Sequence, residues 1–393
     1  MTLLPCVASS GANLPKVRLA DAWPPRSLSR CGRRIRCATG FKDSRNPRSE
    51  TVDFVLRLWR FVRFTLNLLV QGLRLVAFAL LILPACLRIG WFYFRNPRIA
   101  RAIAYGAKPR QFLDVYFPNE AAGSAPRPVV VAVMGGAWTI GHRLWNVLLA
   151  ARLAEAGVMV VAVDYRNFPL ATIPEMLDDL DTALKWVQSN VASYGGDTSR
   201  MALVGQSAGA HLCSALLLRQ CRREEEDMES ARCLGWSPSD FQVFLGVSGV
   251  YDLPKEAAHM ESIGIFPFLP HLCVDGDMAA VSPTLLVQEP HLRHAASRMP
   301  PVQLMHGKAD TSVPHEMSTA FADALLKAGV ADVEVELFEN VTHSHPVVEG
   351  PMAGEDYQAR LLLRRLGLPL PSSPSVRWLP RPVVAVASKV MPF

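Results

Sequence analysis

Met201-Ala202-Leu203-Val204-Gly205-Gln206-Ser207-Ala208-Gly209-Ala210-His211 is the stretch that decides the fold. Four apolar residues run into a glycine, a serine follows two positions on, and a second glycine lies within an Ala- and Leu-rich segment reaching Arg219. The first part reads as a buried strand and the second as a helix. A chain turning from strand to helix this tightly has no room for side chains at its flanks, which accounts for glycine at 205 and 209. Ser207, at the apex, is lifted above the sheet, and the N-terminus of the new helix favours negative charge developing beside it. The Gly-x-Ser-x-Gly string alone is weak. The strand before it and the helix after it give it weight.

Outward from this point, short apolar runs recur at 112–117, 129–134, 158–164, 243–248, 302–306 and 333–338. Helix-like stretches lie between most of them, at 144–156, 173–191, 208–219, 315–328 and 355–366. Val-rich strands alternating with helices predict a mostly parallel central sheet with helices on both faces. With a serine at a strand-to-helix elbow, that pattern predicts an α/β-hydrolase fold.

A serine hydroxyl at neutral pH needs a base, and in this fold acid and base follow the nucleophile in that order. Val302–Met305 leads into His306-Gly307-Lys308-Ala309-Asp310, and Val333–Phe338 into Glu339-Asn340-Val341-Thr342-His343. Asp310 and His343 therefore fall beyond parallel strands, on the same sheet edge as Ser207. Asp252 is the alternative acid and His345 the alternative base. His306 is expected to hydrogen-bond within the loop that presents Asp310. The oxyanion hole is expected from backbone N–H groups of Gly135, Gly136 and Ala137, beyond the early strand 129–134, joined by Ala208. Gly195-Gly196-Asp197 reads as a turn. No phosphate-binding loop, metal-ligand helix or dinucleotide fingerprint appears, so neither metal nor cofactor is expected.

The formal charge of +6 is unevenly spread. Residues 1–101 carry 18 Lys and Arg against 4 Asp and Glu, a net of +14, and the remainder 23 against 31, a net of −8. A basic segment leading into apolar sequence, ahead of an acidic body, argues against nucleic-acid binding and for a membrane. Residues 1–50 read as a basic tail or targeting segment. Residues 51–104 form a hydrophobic membrane-anchor region centred on Phe64–Leu87, 24 residues in which Arg74 must snorkel or meet a partner. Its charge-free core, Leu75–Leu87, has 13 residues, too short to span alone. Trp59, Trp91, Phe92 and Tyr93 stand near its ends as interfacial anchors. The alternative is a buried helical hairpin over the domain. Residues 105–367 form the catalytic domain and 368–393 a Pro-rich tail, whose apolar end, 383–390, packs on the body or touches the membrane. The eight cysteines contain no CxxC pair and read as free thiols, with a Cys221–Cys233 bridge open to a loop facing a lumen.

Gly135-Gly136-Ala137-Trp138, Asp164-Tyr165-Arg166-Asn167-Phe168-Pro169, Tyr194-Gly195-Gly196-Asp197 and Gly205-Gln206-Ser207-Ala208-Gly209-Ala210-His211 together resemble the isoprenylcysteine methylesterases. Those are membrane-associated relatives of the hormone-sensitive-lipase group. Ser282-Pro283, Pro300-Pro301-Val302, His306-Gly307 with Asp310, Thr342-His343 and Val390-Met391-Pro392-Phe393 extend the match from Tyr105 to the C-terminus, interrupted by the charged insertion 219–240. Many lipase relatives have histidine before the Gly-Gly pair; here it is Met134. The resemblance supports Ser207, Asp310 and His343 as the triad. It implies hydrolysis of the methyl ester of a prenylated cysteine, free or at a protein C-terminus, releasing methanol and a carboxylate. Trp138, Trp145 and Phe168 are candidates to line a channel for the prenyl chain, or equally to be ordinary core. It also implies endoplasmic reticulum and Golgi membranes, while the Arg/Ser-rich start leaves a plastid or mitochondrial route open. A general carboxylesterase or lipase would use the same triad, an arylformamidase is a further option, and a catalytically silent hydrolase-fold binding protein is the alternative from another class.

Overall fold

Strands β1 (Ile99–Ala104), β2 (Phe112–Tyr116), β3 (Arg127–Val133), β4 (Met159–Val163), β5 (Gly196–Gln206), β6 (Phe241–Val247), β7 (Val302–Gly307) and β8 (Val333–Phe338) form one sheet in the order β1-β2-β4-β3-β5-β6-β7-β8. The structure, a computed structural model, describes residues 47–118, 125–227, 235–263, 269–274, 276–371 and 377–391. The chain divides at Arg57/Leu58, and of the first unit only the start of a helix from Pro47 is described. In the second unit β2 is antiparallel to β1 and β4, and all other pairings are parallel. The expected α/β-hydrolase architecture is present.

Alternation along the strands builds two cores. Val129, Val131 and Val133 of β3, with Val161, Val163 and Leu203, meet α3 (Ile173–Asn190) and α4 (Ala208–Glu226) on one face. Val130, Ala132, Val160, Ala202 and Val204 meet α2 (Val147–Glu155) and α7 (Tyr357–Arg365) on the other. Each wholly buried Val or Leu contributes roughly 1.5–3 kcal/mol. The first face also receives α6 (Glu316–Lys327) through Met317, Phe321 and Leu325, and carries α5 (Leu253–Ser262) through Leu253.

The hydrophobic region is one helix, α1 (Pro47–Arg95), and no hairpin forms there. Ala85, Ile89 and Tyr93 recur at helical spacing and join the second core. Tyr93, expected at a membrane interface, is instead buried, its hydroxyl donating to Asp114 Oδ2 at 2.8 Å. Residues 99–104, grouped by composition with the hydrophobic region, are the edge strand β1. Their short pattern was masked by Arg101 and by Ala102, whose φ is +55°.

The tail ends in α8 (Arg381–Val390), which packs on the body through Val384 and Ala387. Arg74 meets a partner there. Its guanidinium donates to the carbonyls of Lys389, Val390 and Met391 at 3.0–3.3 Å and so caps α8. Helix α4 runs to Glu226, seven residues beyond the expected end at Arg219. Cys221 lies inside it as a buried free thiol; Cys233, the other half of the bridge considered from sequence, lies outside the described residues, like residues 1–46, 392 and 393.

Candidate active site

Because β3, β5, β7 and β8 are parallel, the loops at their carboxyl ends share one edge, and three distant side chains meet there. His343 Nε2 lies 3.0 Å from Ser207 Oγ, and His343 Nδ1 lies 2.7 Å from Asp310 Oδ2. Ser207 has φ +52° and ψ −120°, the strained conformation of a tight elbow. Its N–H donates to Val247 O at 2.8 Å, and Ser207 O accepts from the His211 N–H at 3.0 Å. A Cβ on Gly209 would sit 2.3 Å from Val133 O, so the helix can approach β3 only without a side chain.

Asp310 is held from both sides. Oδ1 accepts from the N–H groups of Ser312 and Val313, each at 2.9 Å, while Oδ2 accepts from His306 Nε2 at 3.1 Å as well as from His343. His306 Nε2 also lies 3.0 Å from Val313 O, and its Nδ1 lies 2.7 Å from Ser318 Oγ. Burial works to raise the Asp310 pKa, but the charge of His343 and the hydrogen bonds from both imidazoles outweigh it and hold the carboxyl well below its ordinary range. Burial likewise works to lower His343, yet the charge of Asp310 and its hydrogen bond to the ring leave that imidazole above its ordinary 6.5. The alternatives do not converge on Ser207. Asp252 caps α5, accepting from the Lys255 N–H at 3.2 Å, and His345 Nε2 pairs with Glu355 at 2.9 Å.

Gly135 passes so close to the elbow that a Cβ there would lie 2.5 Å from Gln206 O and 2.8 Å from Ser207 Cβ. Gly136, Ala137 and Trp138 follow with φ of +118°, +49° and +60°. Among the described residues, the N–H groups of Gly136 and Ala137 donate to no backbone carbonyl. Ala208 opens α4, where a helix leaves its first N–H groups free. Backbone N–H groups of this kind are what an oxyanion requires.

With Met134 where relatives often carry histidine, the loop is braced differently. Tyr165 Oη donates to Met134 O at 3.1 Å, Asn167 Nδ2 donates to Gly141 O at 2.9 Å, and Arg110 reaches the same carbonyl while paired with Asp164 at 2.7 Å. The Asp-Tyr-Arg-Asn segment thus holds both ends of the glycine loop. Trp138, a candidate for the substrate channel, is only 1% exposed and donates its indole N–H to His211 Nδ1 at 3.2 Å. His211 Nε2 donates to Val281 O at 2.8 Å, and burial pushes that imidazole down to about 4, so it is neutral. Trp138 is a loop brace in the core. Trp145 is exposed, and Phe168 packs at the core margin with its N–H on Trp138 O at 2.8 Å. Sequence alone had no signal for Glu256 and Glu349, buried carboxyls whose charges act on His343, because each sits in an unremarkable helical pattern. Among the described residues no group of three or more His, Cys, Asp or Glu side chains is arranged to hold a metal.

The chain is similar to known proteins over most of its length. A family described as BD-FAE matches residues 113–325. A probable isoprenylcysteine alpha-carbonyl methylesterase of Arabidopsis thaliana is 36% identical over 301 residues, covering 76% of this chain and 62% of the relative. An isoprenylcysteine alpha-carbonyl methylesterase of the same plant is 35% identical over 300 residues, covering 76% and 69%. This chain therefore spans between three fifths and seven tenths of those relatives' lengths. Among solved structures, esterase B from Lactobacillus rhamnosis superposes with a TM-score of 0.56 at 21% identity, over 76% of this chain and 95% of that one, a likeness of fold. Identity at this level over three quarters of its length places the chain in the isoprenylcysteine alpha-carbonyl methylesterase family.

Proposed function

We propose that the chain is a membrane-held serine esterase that hydrolyses the methyl ester of a prenylated cysteine to the free carboxylate and methanol. The observation that carries the reading is the hydrogen-bonded series Ser207–His343–Asp310 beside the Gly136–Ala137 amides. The substrate class is supported by the two plant relatives, one named an isoprenylcysteine alpha-carbonyl methylesterase and the other a probable one. His343 Nε2 takes the Ser207 proton as Oγ attacks the ester carbonyl. Asp310 keeps the other ring proton on Nδ1 and stabilises the imidazolium. The carbonyl oxygen, now anionic, sits among the N–H groups of Gly136, Ala137 and Ala208. His343 then protonates the departing methoxide, and its return to the neutral form lets it activate a water that frees the acid from Ser207.

A prenyl substituent partitions into a bilayer at roughly 0.8 kcal/mol per buried CH₂, so its ester is presented at the membrane surface. Helix α1 suits that surface. Val62–Arg95 is long and apolar enough to cross a membrane, and Leu80, Leu83, Leu87, Trp91 and Phe94 are exposed opposite the face that Ala85, Ile89 and Tyr93 bury. At about 1.5 Å per residue this stretch exceeds the roughly 30 Å of a hydrocarbon core, which is consistent with its last turns lying along the body.

Hydrolysis of farnesylcysteine methyl ester should exceed that of a short p-nitrophenyl ester in kcat/KM. A preference for the short ester by orders of magnitude would leave a general carboxylesterase in its place. Replacing Leu80, Leu83 and Leu87 together by lysine, which adds about 2.5–3.5 kcal/mol per residue at mid-bilayer, should move the full chain from the membrane pellet to the supernatant. If the triple variant stays in the pellet after a carbonate wash, α1 is not the anchor. The endomembrane placement belongs to the same proposal, and co-localisation of a tagged full chain with a plastid or mitochondrial marker would overturn it.

A further inference from the structure

The first turn of α5 carries a carboxyl with no visible partner. Asp252 caps the helix, and Glu256 follows one turn later, its N–H on Asp252 O at 3.0 Å. The Glu256 side chain is wholly buried, and among the described residues neither Oε1 nor Oε2 has a hydrogen-bond partner. Burying an unpaired carboxyl is among the more costly arrangements a fold can hold, and an apolar residue would fill the same helix position without that penalty. The helix is fixed where it lies. His259 Nε2, one turn further, donates to Thr311 O at 3.0 Å in the loop that presents Asp310, and the Leu253 N–H donates to Ser282 Oγ at 3.0 Å. The charges that act on Glu256 are those of His343 and Asp310.

We propose that Glu256 is a positioning residue for the ester hydrolysis, a second carboxyl buried on the helix that is tied to the Asp310 loop, which once ionised stabilises the imidazolium formed as Ser207 attacks. The proposal rests on the reading of Ser207, His343 and Asp310 given above. The charges that act on the imidazole are Asp310, hydrogen-bonded to it from the loop after β7 with His306 on the same carboxylate, Glu256 from α5, and Glu349, whose Oε1 accepts from Ser344 Oγ at 2.8 Å. His259 faces the same loop from α5 but is engaged by Thr311 O.

Burial holds the Glu256 carboxyl up at about 8, with His343 working to lower it and Asp310 to raise it. Below that pH the group is neutral and contributes little to a neighbouring cation. Above it, the proton leaves to solvent and the charge of a carboxylate acts on His343. The ground state carries a neutral imidazole and the transition state a charged one, so the new charge acts on the transition state selectively. The acid limb of kcat/KM set by His343 should therefore be followed by a second rise near pH 8.

The test is kcat/KM against pH for the full chain, from about pH 6 to pH 10, on a prenylcysteine methyl ester. Wild type should show a second step of about tenfold, the equivalent of one unit of coupling between the two groups. Glu256→Gln, of the same shape, and Glu256→Leu, with no polar atom to bury, should each give a single limb and a flat plateau below the wild-type maximum. A Glu256→Gln or Glu256→Leu profile that keeps the second step overturns the proposal, as does a wild-type plateau that is flat across pH 8. Ser207→Ala separates the two failures: if that variant still turns over, the triad reading has fallen, whereas if it is inactive and the step is missing, only the role of Glu256 has fallen. Thermal unfolding reports burial by itself. Between its ordinary 4.5 and about 8 the folded chain keeps a proton that the unfolded chain releases, so wild type should lose stability relative to Glu256→Gln as pH rises through that window. A purely structural role would produce this stability difference without the kinetic step.

Discussion

Ser207→Ala should reduce kcat by about a millionfold while leaving the fold intact. The size follows from what the hydroxyl does. Oγ is the attacking atom, and without it His343 has no proton to take and no acyl-enzyme can form. What remains is the backbone-donor site and substrate binding, worth about 10³–10⁴ over the reaction in water. Folding should be retained because among the described residues Oγ makes a single hydrogen bond, to His343, and the elbow is defined by backbone contacts such as Ser207 N–H to Val247 O. Alanine at φ +52° is no more strained than serine. Steady-state turnover and covalent labelling by a fluorophosphonate give the readout: both should vanish while the melting temperature stays within a few degrees. Unimpaired turnover in a folded Ser207→Ala protein would rule out the proposed nucleophile.

The elbow was readable because every constraint on it is local. Gly205, Ser207 and Gly209 fall within five residues, and the apolar run at 201–204 identifies the strand that delivers them. Asp310 and His343 were readable less directly, through the rule that loops after parallel strands share an edge, and the strand ends at 307 and 338 are where the apolar runs stop. What stayed hidden depends on contacts between distant segments. No local pattern could tell that Arg74 would cap a helix more than three hundred residues away, or that Tyr93 would bury its ring to reach Asp114. Trp138 illustrates the same limit. An aromatic residue after a Gly-Gly pair looks like a channel wall, and only the indole N–H on His211 reveals a brace. Glu256 is the extreme case, because charged residues in a first helical turn are ordinarily solvated, and its burial comes from distant segments packed against α5, Leu269–Cys273 and Met278–Val281 among them.

Asp310→Asn should lower kcat by about 10⁴ with KM nearly unchanged, and the hydrogen bonds around the carboxylate explain why so small a change acts so strongly. Oδ1 accepts two backbone N–H groups, from Ser312 and Val313, so in the variant that position must remain the amide oxygen. The NH₂ group is then forced to the Oδ2 position, where it meets His343 Nδ1 and the Nε2–H of His306. It donates to His343 Nδ1 and drives that ring's proton to Nε2. A protonated Nε2 offers Ser207 Oγ a donor instead of a base, and attack stalls. His306 cannot relieve the conflict by changing tautomer, because Val313 O needs the Nε2 proton. Loss of the charge also removes the largest influence raising the His343 pKa, so the acid limb of the residual activity should move to lower pH. Rates and pH profiles on the same prenylcysteine ester measure both effects. Activity within tenfold of wild type, with an unmoved acid limb, would mean that Asp310 does not orient the base, and the arrangement of the site would have to be drawn again around another acid.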